Sequence, residues 1–278
     1  METISDSDFK FLQELSEDWM GSIFSDDKKY LFEARLVGMA KHFDFPTIKD
    51  LIQDMRLRKA NISPNLKEYF VDIITTHETL FFRDKNPYKN LRDSIIPEII
   101  SKKGPSGGLN IYSAACSTGQ EPLSIVIALN ECLDREWFDA LEILATDISA
   151  PATQYAKNGV YSQYEVQRGI PTKLLNKYFE QENISWRIKK EFSNKIKYQT
   201  ENLIKPDFKL KKFDIVFCRN ATIYMDKKKV RTIYEHFHKH MAKESFLIVG
   251  NSERMSDHTD LFEYIKTESG IVYKRISK

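Results

Sequence analysis

The sequence predicts an α/β protein, with the alternating strands and helices of an open parallel sheet following an all-helical N-terminal part. Three observations predict it. Asn110–Leu129 (NIYSAACSTGQEPLSIVIAL) reads as a buried strand, a turn of tiny side chains and an apolar helix. Leu141–Ala145 (LEILA) and Asp214–Cys218 (DIVFC) read as further buried strands, each running into polar residues at its carboxyl end. Before Asn86, apolar residues recur at helical spacing instead.

Length and composition set bounds on function. At 278 residues the chain has room for two domains. With 41% hydrophobic and 29% charged residues it has the make-up of a soluble globular protein. No apolar run approaches the ~20 residues of a membrane helix. The start, METISDSDFK, lacks the basic-then-apolar pattern of a secretory signal, so a cytoplasmic protein is expected. Cys116, Cys132 and Cys218 are widely spaced with no metal-ligand pattern, and free thiols without a metal are expected. The net charge of +2 does not demand nucleic acid. Trp186–Lys212 holds nine Lys or Arg against three Asp or Glu, which suits a solvated face or an acidic partner.

Four helices are expected first. Asp8–Met20 places Phe9, Leu12, Leu15, Trp19 and Met20 at helical spacing, and Lys28–His42 does so with Leu31, Leu36, Val37 and Ala40. Thr47 precedes a helix carrying Ile48, Leu51, Ile52 and Met55, whose late turns hold Arg56, Arg58 and Lys59. Those cations either complement the negative helix end or touch an acidic protein. Leu66–Ile74 continues as a helix into residues 75–84, TTHETLFFRD. There the Phe81-Phe82 pair should be buried, and Arg83 would then need a partner. Asn86-Pro87 should break the helical run. The boundary is placed there, giving a helical domain with linker at 1–85 and the α/β domain at 86–278. Leu91–Ile100 is another helix before the turn signal KKGPSGG.

The small residues Ser113–Gly119 let backbone approach a flat ligand closely. They lack the G-x-G-x-x-G spacing that cradles a pyrophosphate, which argues against a dinucleotide and suits an adenosine ligand without phosphate, such as S-adenosylmethionine. Glu121-Pro122 suits the first turn of the next helix, where an anion and a missing N–H are both welcome. Asp147 ends the second strand, where such folds hold ribose hydroxyls. Asp147 or Ser149 could equally cap the helix Pro151–Asn158, and the preceding βα unit favours ribose. Residues 159–200 interrupt the rhythm with a helix, Leu174–Phe179, and two short strands, Ser185–Ile188 and Ile196–Gln199. They are read as a small inserted β-subdomain, in which Glu165 and Arg168 are spaced to pair across a helical turn. Arg219-Asn220 stands at the crevice end of its strand. Tyr224, read on its own, is a tyrosine that packs in the core with its hydroxyl satisfied. Lys228–Met241 is an amphipathic helix, Ser245–Gly250 a strand, and Leu261–Ile276 a closing hairpin around Ser269-Gly270.

SAACSTGQEP at 113–122, THETLFFR at 76–83, Thr146-Asp147-Ile148, Asn202-Leu203 and ATIYMD at 221–226 together resemble the bacterial chemotaxis receptor methyltransferases, the CheR family. The resemblance runs from about Thr75 to the C-terminus. It implies a Rossmann-like methyltransferase sheet with an N-terminal all-α domain and the inserted β-subdomain, which in the family engages the receptor. It implies S-adenosylmethionine as cofactor and S-adenosylhomocysteine as product. The acceptors would be glutamates on the cytoplasmic helical bundle of chemoreceptors, converted to methyl esters that tune signalling. Arg83 and Tyr224 would stand at the methyl-transfer site. His77, Thr79, Arg83, Ala115, Glu121, Asp147, Asn202, Leu203, Arg219 and Asn220 would surround the cofactor. His77 stands where the family has Asn, and Gln120 where it has Glu. A cytoplasmic monomer recruited to membrane receptor arrays is expected, with neither nucleic acid nor membrane insertion.

The chemistry asks little of the side chains. A glutamate with a pKa near ~4.3 is already ionised at neutral pH, so transfer needs alignment and desolvation rather than a base. Arg83 would position either the acceptor or the cofactor's own carboxylate. The glycine spacing weighs against a dehydrogenase. A nucleic-acid methyltransferase is disfavoured because Phe217 rather than proline precedes Cys218. A cofactor-binding scaffold without activity would show binding and no turnover.

Overall fold

The computed structural model describes residues 2–59, 61–206, 212–253 and 255–277. The chain opens with helices α1 (Asp6–Met20), α2 (Lys29–His42), α3 (Ile48–Leu57) and α4 (Pro64–Ile74). Three start on side-chain caps: Ser5, Thr47 and Ser63 accept the amides of Asp8, Asp50 and Leu66. Gly21 ends α1 in the left-handed conformation, with φ of 79°. Phe9, Leu12, Phe32, Leu36, Leu51, Met55 and Phe70 share one core. The apolar stripe of α2 is Phe32, Leu36, Met39 and Ala40, so Val37, expected inside, lies outside at 46% exposure. The cations at and just after the end of α3 are paired within the chain, Arg56 with Asp8, Arg58 with Asp54 and Lys59 with Glu14.

Residues 75–85 cross from this cluster to the sheet. Asn86-Pro87 opens a helix instead of breaking one. Helix α5 (Asn86–Asn90) passes through a π-turn at Leu91–Ile95 into α6 (Ile96–Lys102). Proline is tolerated in a first helical turn, whose N–H groups have no partners in any case. Pro97, further along, has no N–H to give and crowds the preceding turn, which accounts for the π-turn.

The ten strands are β1 (Leu109–Ala114), β2 (Leu141–Asp147), β3 (Val160–Ser162), β4 (Phe179–Glu182), β5 (Ser185–Ile188), β6 (Ile196–Thr200), β7 (Phe213–Cys218), β8 (Met241–Val249), β9 (Phe262–Thr267) and β10 (Gly270–Arg275). Seven form one sheet in the order β6-β2-β1-β7-β8-β10-β9. Its first five members are parallel, and the β9–β10 hairpin closes the edge antiparallel. Strands β3, β5 and β4 form a separate antiparallel sheet. Ile196–Thr200 therefore belongs to the main sheet, paired to β2, and the inserted sheet is confined to Val160–Ile188 rather than reaching 200. Ile196 is buried while Lys197 is exposed, the alternation of a strand at a sheet edge.

Successive residues of the central strands feed two cores. Ile111, Phe217 and Ile248 pack on one face with Ile125 and Ile127 of helix α7 (Gln120–Asn130). Tyr112, Val216 and Leu247 pack on the other with Tyr234 and Phe237 of the helix Lys227–His240. In the basic stretch, Arg187 pairs with Glu182 and Lys195 with Asp139. Its part at 207–211 lies outside the described residues.

Candidate active site

Parallel register builds the site. Ala114 lies opposite Thr146 on one side and Cys218 on the other. The next residues, Ala115, Asp147 and Arg219, therefore leave the sheet side by side. This is also where the chain order reverses, from β1 outward to β2 and β6 and then back to β7. Ligands of open α/β sheets bind at that crevice. A cavity of about 510 Å³ opens there, within the usual range for a small-molecule site.

The cavity brings together ten of the eleven residues singled out in the sequence: Thr79, Arg83, Ala115, Glu121, Asp147, Asn202, Leu203, Arg219, Asn220 and Tyr224. His77 is the exception. Its ring turns towards α4, with Nε2 3.2 Å from the Asp72 carboxylate, and its carbonyl accepts the Ser117 hydroxyl. The contact with Asp72 holds the ring on the α4 side, outside the cavity lining.

Asp147 is 5% exposed. One carboxylate oxygen accepts the Ser117 amide at 2.8 Å and the other the Ser149 amide at 3.0 Å. Burial pushes its pKa up, against the pull of these two amides. Each oxygen keeps a free lone pair, so the pair suits a vicinal diol. The helix cap is Ser149, whose hydroxyl accepts the Ala152 amide. The turn after β1 uses left-handed backbone at Ala115, Ser117 and Gly119, with φ of 56°, 51° and 95°. A Cβ on Gly119 would lie 2.7 Å from that of Ala156, so only glycine fits.

Glu121 accepts the Ser113 hydroxyl at 2.8 Å and the Arg219 guanidinium at 3.1 Å. Asn202 donates to Trp19 O at 2.6 Å, tying the end of α1 to the sheet. Phe81 is buried against Tyr161 and Phe179, and Phe82 is half-buried, so the expected pair divides. Arg83 is half-buried and donates to Glu78 O. Tyr224 is 62% exposed at the mouth, so it is not a core residue. Burial raises the pKa of Cys116 and Cys218, which leaves neither a ready nucleophile.

The sequence reading missed the contribution of the helical cluster. Ile23, Lys28 and Tyr30 line the same cavity, and the Ile23 amide donates to Tyr224 O at 2.7 Å. No spacing in the sequence could have announced this, because docking alone creates it. Glu253 was also passed over. It is buried, and its carboxylate accepts the Ala221 amide at 3.0 Å behind the Asn220–Tyr224 loop. Glu165 does not pair with Arg168. It accepts from Tyr155 and Ser162, and the Gln120 amide donates to it at 3.3 Å, while Arg168 stands 3.8 Å from Glu78. A glutamate at position 120 would repel Glu165, so the amide fits this chain.

The chain is similar to known proteins over most of its length. A family model described as CheR methyltransferase, SAM binding domain, matches residues 77–271. The chemotaxis protein methyltransferase of Vibrio parahaemolyticus is 32% identical over 98% of this chain and 98% of its own length. Chemotaxis protein methyltransferase 1 of Pseudomonas aeruginosa is 30% identical over 97% and 98%. The chemotaxis protein methyltransferase of Borreliella burgdorferi is 32% identical over 88% and 87%. The chain thus belongs to the CheR methyltransferase family, with S-adenosylmethionine as its cofactor.

Proposed function

We propose that this protein transfers a methyl group from S-adenosylmethionine to glutamate side chains of chemoreceptors, forming glutamyl methyl esters in chemotactic adaptation. The observation that carries the reading is the cavity mouth, where Arg83 and Lys28 share one opening with Glu78, Tyr30 and Tyr224, and Lys28 lies 3.0 Å from Asp27. Among the described residues the Arg83 side chain makes no ion pair and donates only to the Glu78 carbonyl, which suits it to an anionic acceptor. The partner would be the cytoplasmic helical bundle of a receptor, met by a cytoplasmic monomer at the receptor array. Residues 1–85 and 86–278 are read as the helical and methyltransferase domains.

The buried wall fits the cofactor: its volume is sufficient, and Asp147 keeps two acceptor positions for a ribose diol. When bound, S-adenosylmethionine supplies a methyl group on a sulfonium. Thr79, Ala115, Glu121, Asn202, Leu203, Arg219 and Asn220 complete the enclosure, and His77 supports it from behind through its hold on Ser117. Arg83 orients a carboxylate. Tyr224 presents its ring face beside the reacting centre and helps exclude water. The acceptor is ionised at neutral pH and needs no base.

The test is methyl-labelled S-adenosylmethionine with receptor cytoplasmic fragments from the same source. Label released as methanol by mild base, and reduced at least tenfold in Arg83→Ala, is the expected result. An orienting contact of this kind accounts for about that factor or more. Base-stable label, or binding without transfer, sinks the glutamate reading.

A further inference from the structure

The turn that carries Arg83 has an unusual backbone. Phe82, Asp84 and Lys85 have φ of 51°, 65° and 42°, a region that side chains disfavour. Such a shape persists where the surroundings over-determine it. One side is fixed by packing. Phe81 meets Tyr161 and Phe179 at ring distances of 5.0 and 5.8 Å, and a Cβ on Gly169 would stand 1.9 Å from Phe81 O. The Phe82 amide donates to the Ser124 hydroxyl at 2.9 Å.

The other side is fixed by one arginine. Arg219 donates through Nη2 to Arg83 O at 3.0 Å and to the Asp84 carboxylate at 2.6 Å, and through Nη1 to Glu121 at 3.1 Å. Its side chain is 2% exposed, against 35% for Asp84. Arg219 stands at the end of β7 and Glu121 at the start of α7, both rigid elements. Asp84 does not line the cavity, although its neighbour Arg83 does.

We propose that Asp84 and Arg219 form a clasp that fixes the strained turn and so places the Arg83 side chain, which makes Asp84 a positioning residue for the transfer reaction. This rests on the reading of Arg83 given above. Asp84 is the place to test it, because removing its carboxylate leaves the buried Arg219 still paired with Glu121. Arg219→Ala would strip two acidic groups of their partner at once.

The experiment compares the full-length protein with Asp84→Ala, Asp84→Asn, Arg83→Ala and the double variant Asp84→Ala/Arg83→Ala. Calorimetry gives the Kd for S-adenosylhomocysteine, initial rates give kcat and KM for base-labile transfer, and amide exchange reports on residues 82–86. In Asp84→Ala, kcat should fall about 10- to 100-fold, the range a misplaced orienting group produces. Kd should stay within about threefold, and exchange at the turn should quicken about tenfold. Asp84→Asn, which keeps an acceptor for Arg219, should lose less and serves if Asp84→Ala unfolds. The double variant should be no slower than Arg83→Ala, since both changes remove one function. Multiplying losses, unchanged kcat, or a loss confined to Kd overturns the clasp. Should the unaltered protein make no base-labile product, the glutamate reading fails, while unchanged exchange in Asp84→Ala still overturns the clasp by itself.

Discussion

The cavity has two walls of different make. The wall from β1 and β2 is buried and held by backbone: Asp147 is 5% exposed and is fixed by the amides of Ser117 and Ser149. The facing wall is open and assembled from separate stretches of chain: Tyr30 and Tyr224 are each 62% exposed, and Arg83 comes from the linker. A preorganised buried wall suits a ligand that always arrives in one pose. An open wall of long side chains suits an acceptor presented on another protein. Binding strength and reaction geometry should therefore separate on mutation, the first in the buried wall and the second in the open one.

The largest expected effect is in the buried wall. Asp147→Asn removes the charge that would receive the ribose hydroxyls. Hydrogen bonds to charged groups contribute about 1.5–3 kcal/mol, so S-adenosylhomocysteine should bind about 10- to 100-fold more weakly by calorimetry. An unchanged Kd would mean that the ribose lies elsewhere and that this wall is merely structural.

A smaller effect tests the open wall. Tyr224→Ala should lower kcat/KM for S-adenosylmethionine about fivefold, matching a cation–π contact of about 1 kcal/mol. S-adenosylmethionine should weaken by a similar factor and S-adenosylhomocysteine should not, because only the first carries a positive sulfur. Stability should stay within about 0.5 kcal/mol for so exposed a side chain. Equal weakening of both ligands would assign Tyr224 to packing and erase the distinction between the walls.

The same contrast governs what could be read in the sequence. The buried wall was legible because local signals make it: the β-branched run at Ile111, the tiny residues to Gly119, and Asp147 at a strand end. Parallel register then forces these ends together. The linker motif and Tyr224 were legible only through resemblance. Lys28, Tyr30 and Ile23 were not legible, because the docking of the helical cluster brings them to the mouth. Ile196–Thr200 was assigned to the wrong sheet because a short strand carries no mark of its partner. Pro87 was read as a breaker because proline breaks a helix interior and opens a helix start, and only the boundary decides between them.

His77 stands between the walls and gives the smallest effect. Its carbonyl holds Ser117 in the buried wall, while its ring faces Asp72 of α4, with Ser149 bonded to the same carboxylate. The hydrogen bond to Asp72 raises the His77 pKa, assisted by the nearby charge of Asp147, and the same contact lowers that of Asp72. A raised histidine pKa means stability that is fully present below the unfolded value of about 6.5 and lost as pH rises through the folded value. A lowered aspartate pKa means stability present above about 3.9 and lost as pH falls through the folded value. Both contributions therefore coincide between those limits. A partly exposed pair contributes about 0.2–1 kcal/mol, or up to about 2 °C in a protein of this size. The Tm of His77→Asn should fall below that of the unaltered protein by this amount at pH 5.5, and the gap should close by pH 9. An equal gap at both pH values would show that the ring acts by packing alone, and the helical cluster would then be joined to the buried wall without help from charge.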